Sequence, residues 1–394
     1  AWLYARIEQP QASTGWLRRA QKADPSFLFP CRALEAQILE WVMSQPGSRR
    51  NAAYGLGNLY YDRRRHADAV RVWEMGLQDD PLFAPLYRNL GLAYWNQERD
   101  PTKARDAYER AAELAPNDAR LAYEHDQLRK KLGDSPDTRL ARLENNLEAV
   151  LSRDDFCVEY LSLLNLKERH TSALELMAER RFHPWEGGEG KVLAQYRIGH
   201  VSLGRKAMEN GKADVALEHF TAANQPPPNL GEDFHYLQSR SDLNYWKGRA
   251  LTMLGRQKEA EEAYAASANE AQDFKEMAVT SYSPFTYYRG LSLLALGRDS
   301  EAYQLFSALC QHGQQLQQLP GKIDYFATSL PNMLVFEDDL TQRNLVEGKF
   351  LEGLALLQLC DVATARACFR EVLDLDPSHY EATDQLRALN VLTA

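Results

Sequence analysis

The residues best suited to chemistry sit together in one loop, Arg181-Phe182-His183-Pro184-Trp185-Glu186-Gly187-Gly188-Glu189-Gly190. An aromatic ring beside two carboxylates is the equipment of a glycoside hydrolase. A retaining enzyme holds its two carboxyl groups about 5 Å apart and an inverting one roughly 6.5–9.5 Å apart. A loop could offer either spacing, so Trp185, Glu186 and Glu189 are loop candidates for carbohydrate. Nothing else in the chain converges on them, and three glycines in four positions describe a shaped turn. The structural alternative puts Trp185 in the core between helices, with Glu186 or Glu189 capping the next helix. The nine histidines show no H-x3-H or HExxH spacing, so no metal site is expected. Phosphate-loop and GxSxG signatures are missing too. The expectation is therefore a chain without catalytic residues, cofactor or metal.

Bulk properties narrow the partners. The 394 residues carry a formal net charge of -9 without a Lys/Arg block, whereas phosphate-backbone binding needs a dense basic stripe. Nucleic acid is not an expected partner. No apolar run approaches the ~20 residues of a membrane helix, so no membrane partner is expected and a cytoplasmic location is. Cys31, Cys157, Cys310, Cys360 and Cys368 are scattered with no CxxC pair, which fits buried free thiols better than disulfides or zinc.

The elements that must position these residues follow from an internal period. Residues 50–83 contain Leu56-Gly57, Tyr60, Ala69, Trp73, Gly76 and Pro81. The next unit repeats the order with Tyr87, Leu90-Gly91, Tyr94, Ala104, Tyr108, Ala111 and Pro116, with one extra residue in the turn around Glu98-Arg99-Asp100-Pro101. Tyr87, Leu90 and Tyr94 make one apolar helix face. Gly91, Ala104 and Ala111 are small so that a second helix can cross closely, and Tyr108 fills the gap between the alanines. This is the tetratricopeptide-repeat (TPR) spacing. Looser copies occupy about 197–230, 241–274, 283–316 and 346–379, with Gly204/Phe220, Gly248/Tyr264, Gly290/Phe306 and Gly353/Phe369. Segments 119–152 and 154–187 keep the helix-pair length but little of the pattern.

The expected fold is all-α, a TPR-type right-handed superhelical solenoid of about eight or more helix pairs closed by a carboxyl-terminal capping helix. Its parts are amino-terminal helices forming a partial repeat (1–49), two clear repeats (50–117) and two degenerate pairs ending in the glycine loop (118–190). Three looser repeats (191–312), an insert (313–345) and a final repeat with the cap (346–394) follow. The insert holds Phe336-Glu337-Asp338-Asp339 and is too long for a connector. The run Phe182–Tyr196, the turn Pro228-Asn229-Leu230-Gly231-Glu232 and Lys322-Ile323-Asp324-Tyr325-Phe326 resemble the TPR portion of certain large bacterial proteins. In those a sugar-mutarotase-like β-sandwich domain of uncharacterised function precedes the repeats. The resemblance implies that residues preceded Ala1, and that any sugar chemistry belongs mainly to that other domain.

First helices of such an array line its concave wall, where a peptide can lie. The positions facing it include Tyr54, Asn58, Arg88, Asn89, Trp95 and Arg120. Asn58, Asn89 and Arg120 match three positions of the two-carboxylate clamp of chaperone-binding TPR domains, but Tyr54 and Glu124 break it. Further along, Tyr245 with Arg249, then Tyr287 and Phe350, form an aromatic strip suited to an apolar peptide, the chain's own insert or a sugar ring. The function expected is a protein-interaction scaffold for a peptide, a partner protein or the absent amino-terminal domain. The alternative is a carbohydrate-binding or accessory region of a sugar-active enzyme.

Overall fold

The computed structural model describes residues 1–185, 187–270, 272–275, 278–321 and 335–391. Glu186 and the Lys322–Phe326 motif lie outside the described residues. The chain forms two compact units: Ala1–Leu132 with Val335–Glu337, and the remainder from Gly133 on.

The first unit contains α1 (Trp2–Arg6), α2 (Pro10–Lys22), α3 (Ala33–Met43), α4 (Arg50–Asp62), α5 (His66–Asp79), α6 (Ala84–Ala93), α7 (Pro101–Leu114) and α8 (Ala119–Lys131). The second contains α9 (Pro136–Glu144), α10 (Leu147–Leu151), α11 (Asp154–Leu166), α12 (His170–Glu179), α13 (Lys191–Glu209), α14 (Ala213–Ala222), α15 (Ser241–Met253) and α16 (Gln257–Asn269). It continues with α17 (Pro284–Ala295), α18 (Asp299–Leu316), α19 (Leu340–Gln358), α20 (Val362–Leu375) and α21 (Tyr380–Val391). Helix therefore enters both ends of the 313–345 segment. A short antiparallel ribbon, β1 (Asp273–Lys275) with β2 (Ala278–Thr280), joins α16 to α17 in a register pairing Phe274 with Val279. The period of the repeats gave no sign of it.

One steric device recurs in six helix pairs. Gly57, Gly91, Gly204, Gly248, Gly290 and Gly353 each lie under the aromatic ring of the paired helix: Trp73, Tyr108, Phe220, Tyr264, Phe306 and Phe369. A Cβ at any of these glycines would come within 3.0 Å of that ring. The alanine before each aromatic (Ala69, Ala104, Ala216, Ala260, Ala302, Ala365) is fully buried, because any larger side chain would part the helices. In α11 and α12 only Ala173 keeps this role, also fully buried.

The helix-pair turns share a geometry as well. A residue in the left-handed region ends the first helix (Arg64, Glu168, Gly211, Gly255, Gly297 or Cys360). The amide after it then donates to a carbonyl five residues back, as from Arg65 to Tyr60 at 2.8 Å and from Arg298 to Leu293 at 2.9 Å. Side-chain caps start α7, where the Asp100 carboxylate accepts from the Lys103 amide at 3.0 Å, and α20, where Asp361 accepts from the Thr364 amide at 3.1 Å. Three of the thiols, Cys157, Cys310 and Cys368, are buried, but Cys31 and Cys360 are exposed, which corrects the expectation for those two. Cys360 is exposed because it occupies the left-handed turn position itself.

In the second unit α21 does more than cover an end. It packs on α20, and it also returns to the unit's early helices. Tyr380 shares a 2.7 Å hydroxyl hydrogen bond with Ser202 of α13, and Asp384 pairs with Arg205 at 2.5 Å. Arg387 donates to the Leu166 carbonyl at 2.6 Å, and Arg139 of α9 donates to Ser378 at 3.2 Å. The helices of this unit thus close on themselves.

Candidate functional site

In the first unit, the inner-wall residues bind one another. Arg88 makes a bidentate pair with Glu124, both bonds 2.7 Å, and Arg120 adds a third at 3.0 Å. The Tyr108 hydroxyl donates to the same carboxylate at 3.1 Å, and Asn89 donates to Asn58 at 2.8 Å. Burial opposes the charge on Glu124, but the bonds and field of Arg88 and then Arg120 outweigh it, so its carboxyl is held below the usual range. Glu124 therefore takes the place a ligand's carboxylate would need beside Arg88 and Arg120. Tyr54 packs edge-on against Phe83, with ring centroids 5.7 Å apart.

The turn with the extra residue is different. Here α6 runs into one π-helical turn, Tyr94–Glu98, before Arg99 enters the left-handed region. The closing bond, from the Asp100 amide to the Tyr94 carbonyl at 3.0 Å, spans six residues instead of five. The insertion has become a π-bulge, a distortion frequent at functional sites.

Val335-Phe336-Glu337 lies against this turn. Asn96 donates from Nδ2 to the Val335 carbonyl at 3.0 Å, and its Oδ1 accepts from the Glu337 amide at 2.9 Å. One side-chain amide thereby brackets Phe336 by its neighbours' backbone. The Phe336 ring is 2 % exposed, set edge-on to Trp95 and Tyr108 at centroid distances of 6.1 and 5.4 Å. It joins the apolar cluster of Ala104, Ala111, Leu121 and Leu128. Trp95 donates its indole N–H to the Glu337 carbonyl at 3.4 Å, and Arg99 pairs with the Glu337 carboxylate at 2.6 Å. Of the inner-wall residues expected from the sequence, Trp95 bonds this segment. Asn96, Arg99 and Tyr108 were not anticipated as contacts, although the extra residue near Glu98 was the signal that pointed to them.

The aromatic strip of the second unit is interior. Tyr245 and Tyr287 are each 8 % exposed and Phe350 is 2 %. Tyr287 accepts from Gln358 at 3.0 Å, and burial pushes its hydroxyl up to about 12. Phe350 packs on Phe369 and His379, with centroids 5.8 and 4.8 Å away. Arg249 is exposed and reaches back to the Tyr245 hydroxyl at 3.2 Å. These rings are buried by their repeat neighbours, Tyr245 by Tyr264 and Tyr288, Tyr287 by Tyr288 and Phe306, and Phe350 by Phe369 and His379.

The Trp185 loop departs from the structural alternative at Trp185 and Glu189. Trp185 is half-buried over Gly188 instead of plugged into the core. Phe182 is the core plug, 1 % exposed, its amide donating to the Asn229 carbonyl at 2.8 Å. Asn229 in turn donates to the carbonyls of Met177 at 2.7 Å and Arg180 at 2.8 Å, tying the glycine loop to the proline turn. Glu189 is exposed and caps nothing; Glu232 does that work, accepting from the Gly190 amide at 2.9 Å at the start of α13. Burial raises the Glu232 carboxyl above its ordinary value. Between these groups lies a pocket of about 240 Å³ lined by His183, Trp185, Glu189, Val192 and Glu232. Among the described residues no three potential metal ligands converge, and no helix is long and apolar enough to cross a membrane.

The glycine–aromatic pairs, the helix-pair turns and the absence of any larger sheet among the described residues make the chain an all-α solenoid of TPR type. Residues 54–119 match the tetratricopeptide-repeat family model, which spans α4 from Tyr54 to the first residue of α8 and includes the π-turn. Similar solved structures include YrrB, described as a TPR protein with an unusual peptide-binding site. It is 15% identical over 60% of this chain and 93% of its own, with a TM-score of 0.31. The apo quorum sensor NprR from B. thuringiensis is 13% identical over 93% of this chain and 99% of its own, with a TM-score of 0.38. Naa15/Naa10 bound to HypK-THB gives 14% identity, 88% and 61% coverage, and the same score of 0.38.

Proposed function

We propose that this chain is a non-catalytic interaction scaffold that docks an extended peptide segment of a protein partner on the helices of its TPR pairs. The supporting observation is Asn96, whose amide pairs with one carbonyl and one N–H flanking a single residue. Backbone pairing of this kind supplies affinity without depending on sequence, while adjacent pockets supply selectivity. The π-turn is what aims Asn96 this way.

The test uses the full chain. A library of displayed random peptides is panned against it and against Asn96→Ala, with folding of both checked by circular dichroism. Peptides whose capture falls at least tenfold with Asn96→Ala support the reading, and capture indifferent to Asn96 and to Trp95→Ala refutes it. The carbohydrate reading rests on the Trp185 pocket, where a ring and the Glu189 and Glu232 carboxylates line one concavity. A glycan array with the wild-type chain and Trp185→Ala addresses it; binding that ignores Trp185 would sink it. An amino-terminal mutarotase-like domain, as the resemblance implies, would be a partner in cis for either surface.

A further inference from the structure

The tripeptide held in the first unit carries more information than the fact of its docking. Three different chemistries meet three consecutive positions. The backbone on both sides of the middle residue is read by Asn96 at 3.0 and 2.9 Å. The middle side chain enters an apolar pocket walled by Trp95, Tyr108, Leu121 and Leu128. The third side chain meets a guanidinium, Arg99, at 2.6 Å. An aromatic ring is the shape that fills such a pocket edge-on to two other rings. A carboxylate is what a guanidinium at hydrogen-bond distance selects.

Burial separates the specific part from the adjustable part. Phe336 is 2 % exposed, while the Arg99–Glu337 pair is open to water, with side chains 64% and 52% exposed. The ring fixes register, and the ion pair favours an acidic residue without demanding it, since exposed pairs contribute little. Both anchors lie within a stretch of three residues. Three consecutive residues that carry a buried ring and two backbone bonds have the length of a short linear motif.

We propose that the π-turn site recognises an extended apolar–Phe–acidic motif on a partner protein, and that Val335-Phe336-Glu337 is the chain's own resident copy, which the partner's motif must displace. This rests on the scaffold reading and adds the motif and the competition. A site filled in cis has an apparent dissociation constant equal to the intrinsic one divided by the fraction of time the site is empty. The wild-type chain therefore takes the motif weakly, and emptying the site strengthens capture.

The experiment measures fluorescence anisotropy of a labelled acetylated peptide Val-Phe-Glu-Asp-Asp against the full chain, its Phe336→Ala variant, and Phe336→Ala with Arg99→Glu. The expected result is at least tenfold tighter binding to Phe336→Ala than to wild type. Replacing the peptide's Phe by Ala should abolish binding, and Arg99→Glu should shift preference from Val-Phe-Glu to Val-Phe-Lys by about two- to fivefold. Should Phe336→Ala lose its fold by circular dichroism, Glu337→Arg in an otherwise wild-type chain serves instead; it weakens the resident copy from the exposed side and should also tighten peptide capture. Equal affinity for wild type and the emptied variants would overturn the competition, and equal binding of the Phe and Ala peptides would overturn the motif. In either case, Asn96-dependent capture of other library peptides by the same protein would leave the scaffold reading standing.

Discussion

Removing the Phe336 ring separates a resident ligand from an ordinary core residue, because the two lose different amounts of stability. Burying a phenylalanine contributes about 2–3 kcal/mol. The two Asn96 bonds add about 1 kcal/mol each, and the exposed Arg99 pair adds ~0–1 kcal/mol. Against this, ordering three residues costs about 1–2 kcal/mol apiece. The gross gain of ~4–6 kcal/mol and the cost of ~3–6 kcal/mol leave a net docking energy of no more than about 3 kcal/mol. A segment that can leave its site can never cost the fold more than that. Phe336→Ala should therefore lower protection of α6, α7 and α8 by at most about 3 kcal/mol, the ceiling on the net docking energy.

Phe306 supplies the comparison. It is fully buried over Gly290 and has no way to leave without parting α17 from α18. Phe306→Ala should cost about the usual 3–5 kcal/mol of a buried phenylalanine, which begins where the ceiling for Phe336→Ala ends. Native-state hydrogen exchange read by mass spectrometry on peptides from each unit gives both numbers from full-length protein. A loss of more than about 3 kcal/mol in α6–α8 on Phe336→Ala would make the ring a structural part of the unit, and the displaceable segment would be wrong.

Two further outcomes follow from buried charge. Glu124→Gln leaves Arg88 and Arg120 without their carboxylate, so the first unit should lose about 2–4 kcal/mol; Arg88→Met in the same chain should restore part of it, and a double-mutant cycle in urea that shows simple additivity would deny the coupling. His200 lies 3.0 Å from His219, and burial first and His219 second hold its pKa down at about 4. The unfolded chain takes up this proton below about pH 6.5, and the folded chain only near 4. Stability of the second unit is thus full above the unfolded value and falls as pH drops toward 4, by at most about 3 kcal/mol. The burial-depressed pKa of His219 acts in the same direction. His200→Gln should flatten that part of a thermal-melt pH profile, and an unchanged slope would show that other groups set it.

Local steric rules were legible in the residues, and long-range closure was not. Gly248 and Tyr264 announce a helix pair because a close crossing needs a small residue on one helix and a ring on the other, sixteen positions on. That requirement is satisfied within one repeat, so it leaves a period in the chain. The return of Tyr380 and Asp384 to Ser202 and Arg205 leaves none, since partners nearly 180 residues apart obey no spacing. For the same reason Tyr245, Tyr287 and Phe350 looked like a groove strip. Their positions on first helices were read correctly, but an inner wall that closes becomes a core.

The same contrast explains why the π-turn is the informative element of the first unit. A repeat that keeps its glycine, alanines and aromatic yet carries one more residue must put the surplus somewhere that does not disturb the Gly91–Tyr108 crossing. Widening the last turn of α6 does this, and it changes the direction of only the few side chains there, Trp95, Asn96 and Arg99 among them. Those are the three residues that bond Val335-Phe336-Glu337. Deleting Gln97 would restore the ordinary turn and leave the crossing intact, which places the insertion's consequence in the site and not in the fold.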